Sequence, residues 1–130
     1  MRENRKIVML GTVAGAMLAG ATQAQEASQI WSLDGLNGPE SVAWDAASGV
    51  IYVSLMGTDP MAKDGDGAIA TVAANGTLMA ADWASGLDAP KGIGLAEGRL
   101  YTADIDQLVE IDTATGEVVA RYPAEGAMLL

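Results

Sequence analysis

One short frame recurs in this chain and limits what it can fold into. Gly35-Leu36-Asn37-Gly38-Pro39-Glu40 returns as Gly86-Leu87-Asp88-Ala89-Pro90-Lys91, a G-L-(N/D)-x-P pattern at a spacing of 51 residues. Self-similarity at a fixed period marks a repeat architecture, in which each copy is one supersecondary unit. Each frame leads into an apolar run, Ser41-Val42-Ala43-Trp44 and then Gly92-Ile93-Gly94-Leu95. A Gly-ended turn follows (45–49, then 96–98), and then a Tyr-bearing strand at 50–54 and at 99–103. Third strands are expected at 68–72 and 107–111. Asn75-Gly76 and Thr115-Gly116 make matching hairpin turns, and fourth strands close the units at 77–83 and 117–122.

Two units of four short strands, with turn signals every 8–12 residues and no amphipathic helical stretch, define an all-β chain. Val109 and Ile111, and then Val119 and Arg121, read as opposite faces of a half-buried sheet. Repeating four-stranded units of about 40–50 residues are the signature of a β-propeller. A two-domain sandwich would not require the frame to recur at strand-equivalent positions. Trp31 lies four residues before its frame glycine and Trp83 only three, which calls for a register difference or a bulge.

The first frame is preceded by Gln29-Ile30-Trp31-Ser32-Leu33-Asp34, which takes the place of a fourth strand with no first three. Residues 29–34 are therefore expected to be a closing strand that completes another blade. Blade one is expected over 39–84, blade two over 90–123, and 124–130 as the start of a third. A propeller has four to eight blades, so the smallest ring needs on the order of 180 residues. The expectation is the N-terminal part of a larger propeller.

Ahead of the repeats, Arg2, Arg5 and Lys6 precede an uncharged run from Ile7 to Ala24. A positive start, an apolar run of about 15 residues and a small-residue exit match a secretory signal peptide. That run is short of the ~20 residues needed to span a bilayer as a helix, so an uncleaved anchor is the weaker reading. Residues 1–24 are expected to be the signal, with cleavage after Ala24 or, second, after Ala21. The exported part, 25–130, carries 16 acidic and four basic side chains and no membrane segment, and is destined for a bacterial-type periplasm or secretion.

Composition removes whole classes of chemistry. No cysteine means no disulfide framework and no thiolate. No histidine means no imidazole base, no Ser-His-Asp triad and no His-bearing metal site. A net charge of −10 argues against nucleic acid as a partner. Gly65 and Gly67 lack the strand-to-helix context and the Lys-Ser/Thr ending of a phosphate loop.

The stretch from Pro39 to Asp45, with Gly49-Val50-Ile51-Tyr52-Val53 after it, resembles the opening of six-bladed propellers of the gluconolactonase, senescence-marker-protein and luciferin-regenerating-enzyme-like group. Pro90-Lys91-Gly92-Ile93, residues 100–104 and residues 109–116 are similar to the second blade of its bacterial exported members. The resemblance covers nearly all of 31–130. It implies a metal-dependent hydrolase of lactones or esters, with a small-molecule substrate and Ca²⁺ or another divalent cation. Strictosidine-synthase-like and NHL-type propellers carry similar signatures, so a non-enzymatic module binding a ligand or protein is the alternative. In the lactonase-like family a Glu opening the first inner strand, within E-G-P-V-W, ligates the cation at the axial mouth. Glu40, four residues before Trp44, matches it by position, with Ser41 and Val42 standing in place of Gly-Pro. A turn carboxylate meeting solvent or backbone N–H groups is the plainer role for Glu40. The catalytic residues and remaining ligands of that family come from later blades.

Other polar residues read more simply. The loop 59–67 is not an EF-hand, since Ala62 and Ala73 stand where acids are required. Asp64-Gly65-Asp66-Gly67 is expected to be a tight turn delivering the third strand, in a surface loop near the ligand face. Asp104 and Asp106 are expected to be solvated loop acids. Lys91, at the position of Glu40, is expected to be solvated or paired with a carboxylate at the channel mouth. Tyr52 and Tyr101 occupy equivalent places and are expected to fill the space between blades.

Overall fold

A computed structural model describes residues 26–128 and 130; the expected signal, 1–24, lies outside the described residues. Eight strands form: β1 (Pro39–Asp45), β2 (Val50–Leu55), β3 (Gly67–Ala73), β4 (Leu78–Leu87), β5 (Pro90–Ala96), β6 (Arg99–Asp104), β7 (Gln107–Asp112) and β8 (Val118–Pro123). No helix occurs among the described residues, so none is long and apolar enough to cross a membrane. The chain is all-β, built as two four-stranded antiparallel sheets in the orders β1-β2-β3-β4 and β5-β6-β7-β8.

The repeat governs the register. β2 and β3 pair without interruption from Val50↔Ala73 to Leu55↔Ala68, and β6 and β7 from Arg99↔Asp112 to Asp104↔Gln107. Both first strands carry the same irregularity. Pro39↔Leu55 is followed by Val42↔Val53, and Pro90↔Asp104 by Ile93↔Thr102. One extra residue is thus inserted just after the frame proline of each unit. Proline brings no N–H to a ladder, so a bulge beside it disturbs the pairing least.

One face of the first sheet, with Tyr52, Ile69, Ala84 and Leu87, packs against Leu100, Val109 and Ile111 of the second. Tyr52 fills this joint beside Trp83, their ring centroids 4.9 Å apart. β5 is the strand of the second sheet that lies against the first, closest to β1. The other face of the first sheet, with Val53, Leu55, Ala70 and Val72, is covered by Trp31, Leu33 and Leu36. On the second sheet the face turned away from the joint leaves Leu108 and Tyr122 exposed, and Tyr101 there is half-buried.

The segment 29–34 belongs to neither sheet; it lies along the first sheet with Ile30 exposed. Trp31 anchors it by donating Nε1–H to the Ala74 carbonyl at 3.0 Å. The unequal Trp spacing is absorbed by the chain. Trp31 packs on Gly76 and Trp83 on Gly116, the two hairpin glycines, at φ of 87° and 78°. A Cβ at Gly76 would come within 2.7 Å of the Trp31 ring, and one at Gly116 within 2.5 Å of the Trp83 carbonyl. Both the turn and the close approach therefore require glycine.

Two expectations need correcting. β4 continues to Leu87, so the second Gly-Leu lies inside a strand; irregular pairing with β3 lets it run on, Ile69↔Ala84 giving way to Gly67↔Leu87. Arg121 does not face away from Val109. The two are cross-strand partners, which places them on one face, because the ladder shifts between Glu110 and Ile111. Arg121 donates from that face to the Gly86 carbonyl at 2.8 Å.

Candidate functional site

The frame prolines open β1 and β5, the mutually nearest strands of the two sheets, and the bulge falls on the residues that follow. Glu40 and Lys91 thus occupy the same bulged position, at the same end of adjacent first strands. A bulge re-aims the side chain it carries. Glu40 is exposed and accepts a hydrogen bond from the Ser41 hydroxyl. The Ser41 amide in turn donates to Oγ of the fully buried Ser54 at 3.0 Å. The bulge is held by a side chain from the neighbouring strand.

Lys91 is half-buried and, against expectation, its ammonium is held by backbone carbonyls rather than by a carboxylate or by solvent alone. Its Nζ donates to the carbonyls of Pro60 at 3.0 Å and Ala89 at 3.1 Å. The loop between β2 and β3 therefore reaches across to the start of β5. As expected, Asp64-Gly65-Asp66 turns tightly into β3: the Asp66 amide donates to Asp64 Oδ1 at 3.0 Å. The Asp66 carboxylate accepts from the Thr58 amide at 2.8 Å and from Asn37 Nδ2 at 3.4 Å. The Thr58 bond, with help from Asn37, holds the Asp66 carboxyl below the usual carboxylate range.

Asp104 overturns its expectation. It is wholly buried, not solvated. Its carboxylate accepts from the Ala89 amide at 2.7 Å and the Asp88 amide at 3.0 Å, with Gln107 Nε2 at 3.5 Å. Ile105, next in the chain, takes a positive φ of 58° that turns Asp106 away to an exposed ion pair with Lys63, at 2.5 Å. Asp88 is a site residue that the repeat hinted at without revealing. It stands where Asn37 stands in the first frame, and its Oδ1 accepts from the Gly65 amide at 3.0 Å. Both third-frame residues therefore grip the same loop.

Glu40 offers one anionic oxygen donor set, and a hard cation needs six to eight oxygens. Among the described residues no group of three or more His, Cys, Asp or Glu is placed to hold a metal ion. The described residues do not complete a cation site by themselves. Two other concavities are present. A cleft of about 160 Å³ at the opposite end has Asp45, Glu97 and Arg99 on its wall, and Arg99 is already engaged by Asp112 at 2.5 Å and Glu110 at 3.2 Å. An apolar groove of about 180 Å³ on the covered face of the first sheet is lined by Trp31, Leu33, Pro39, Val42, Ile51 and others. Comparison with family models, with curated proteins and with solved structures gave no match.

Proposed function

We propose that the two sheets are adjacent blades of a six-bladed β-propeller of the lactonase kind, and that Glu40 is one ligand of a divalent, Ca²⁺-type cation at its axial mouth. The observation that carries this reading is the shared bulge, which puts Glu40 and Lys91 at equivalent positions, at the same end of the two nearest first strands. In a propeller the first strands converge on the axis, so residues opening them line the mouth. The equivalent seating of Trp31 and Trp83 also supports it, since residues 29–34 then stand as the last strand of a preceding blade. Further blades supply the remaining ligands and the catalytic groups, and the reaction is hydrolysis of a lactone or ester of small size. In this reading residues 1–24 direct export to the periplasm or beyond.

The test is calcium titration calorimetry on the 130-residue chain and on a form carrying the further blades, each with and without Glu40→Gln. The complete propeller should bind calcium, and Glu40→Gln should weaken binding at least about tenfold, because ligand charge count sets affinity. Tight binding by the 130-residue chain, or unchanged binding by the complete propeller with Glu40→Gln, would sink the assignment. A non-enzymatic module is the second reading. The apolar groove beside Val42 favours it, because that residue is 70% exposed and ready for an apolar ligand or protein segment.

A further inference from the structure

The connection from β2 to β3 spans residues 56–66, whereas its counterpart from β6 to β7 is only Ile105-Asp106. The longer one is a compact body. Asp66 closes its base on Thr58, Asp59 Oδ1 accepts from the Met61 amide at 2.9 Å, and Asp64 caps Asp66. A loop whose ends meet and whose own carboxylates cap its amides is compact, and Asn37 pins its two ends, at Gly57 and Asp66, to the first frame. Its polar ties to the second sheet's side of the molecule are three: Lys63 to Asp106, Lys91 to the Pro60 carbonyl, and the Gly65 amide to Asp88.

Two of these three ties are made by lysines, and acids stand on both sides of the seam. The loop brings Asp59, Asp64 and Asp66, and the receiving side has Asp88, Asp104 and Asp106. Lys63 is the only basic residue of 57–66. The carboxylates of Asp106, Asp88 and Asp104 are all close enough to favour its charged form. Without the lysines, the Gly65–Asp88 bond is what remains of the three ties. The ties are exposed, and exposed ion pairs are individually weak, so the closed position is poised rather than locked.

We propose that residues 57–66 form a strap, buckled across the two sheets by Lys63 and Lys91, that swings open as one piece when those buckles are released. The open strap uncovers the start of β5 beside Glu40; only that consequence rests on the functional reading above.

Hydrogen exchange read by mass spectrometry tests the strap without metal or substrate. In the full chain with Lys63→Met and Lys91→Met together, amides of 57–66 should exchange about fivefold faster, the scale of a small local opening free energy. Those of β2 and β3 should keep their protection. Lys63→Arg with Lys91→Arg should restore the slow exchange. Unchanged exchange over 57–66 in the double Met variant would overturn the proposal. So would equal acceleration in β2 and β3, which would mean that the lysines support the sheet rather than the strap.

Discussion

The two sheets share strand order and, over their first three strands, register and bulge, yet each ties its frame to the neighbouring strand with different chemistry. In the first unit the backbone does it: the amides of Met56 and Gly57 donate to the carbonyls of Gly38 and Asn37, at 2.8 and 3.2 Å. In the second unit the direction reverses, and amides of the frame, Asp88 and Ala89, donate to the buried Asp104 carboxylate. The residue opposite Pro39 is Leu55, packed in the core; the residue opposite Pro90 is Asp104. A repeat can thus conserve where a tie is made while exchanging an apolar side chain for a charged one. The exchange makes the second tie more fragile to substitution. A buried acceptor that holds two amides leaves both unsatisfied when it is removed.

Asp104→Ala breaks the comparison most sharply. We expect a loss of about 3 kcal/mol in urea unfolding, because one buried and one part-buried N–H group lose their acceptor. Asp104→Asn, which keeps one oxygen, should lose clearly less. Equal losses for the two variants would show that the charge of the carboxylate, rather than a retained acceptor oxygen or the space it fills, sets the cost.

Trp31→Ala probes the other asymmetry, that the first sheet has a cover drawn from outside any sheet. A loss of about 2 kcal/mol is expected, less than for a fully buried Trp because Trp31 is only half-buried. Hydrogen exchange should quicken over 31–36 and the first sheet and leave β6 and β7 unchanged. Acceleration of β7 would mean that the two sheets do not unfold separately.

The smallest effect concerns acid. The Asp66 carboxyl titrates below its ordinary value of 3.8 in the folded chain, so its contribution is full above that pH and is lost as pH falls through the lowered value. The second unit has no counterpart loop. Exchange of the Thr58 amide should therefore outpace that of amides in β6 as pH is taken below about 3.8, after correction for intrinsic rates. Asp66→Asn should remove the difference.

Much of this was legible in the residues. The frame, the Tyr-bearing strands and the Asn75-Gly76 and Thr115-Gly116 turns announce eight strands in two units, because turn chemistry and alternation are local properties. Strand ends were less legible: β4 runs on through Gly86-Leu87 because its ladder tolerates irregular pairing. Asp104 was misleading for a physical reason. Its backbone partners lie 15 and 16 residues away, and nothing local separates it from the half-buried Asp106 two residues on. Lys91 was opaque in the same way, since its acceptor at Pro60 arrives on a loop from the other unit. The Glu40 position could be read from the frame, whereas the bulge that sets it needed the register with β2.

The three tryptophans differ in their neighbours, and this makes the chain its own optical probe. Trp83 lies in the joint beside Tyr52, Trp31 is half-covered on the opposite face, and Trp44 is 52% exposed. Light absorbed by Tyr52 passes by resonance to Trp83 at 4.9 Å, so loss of that transfer reports separation of the two sheets. Emission from Trp44 is the most red-shifted and the most open to dissolved quenchers. Separation of the joint, release of the N-terminal cover and events at the open edge of β1 each carry a distinct colour, with no label added.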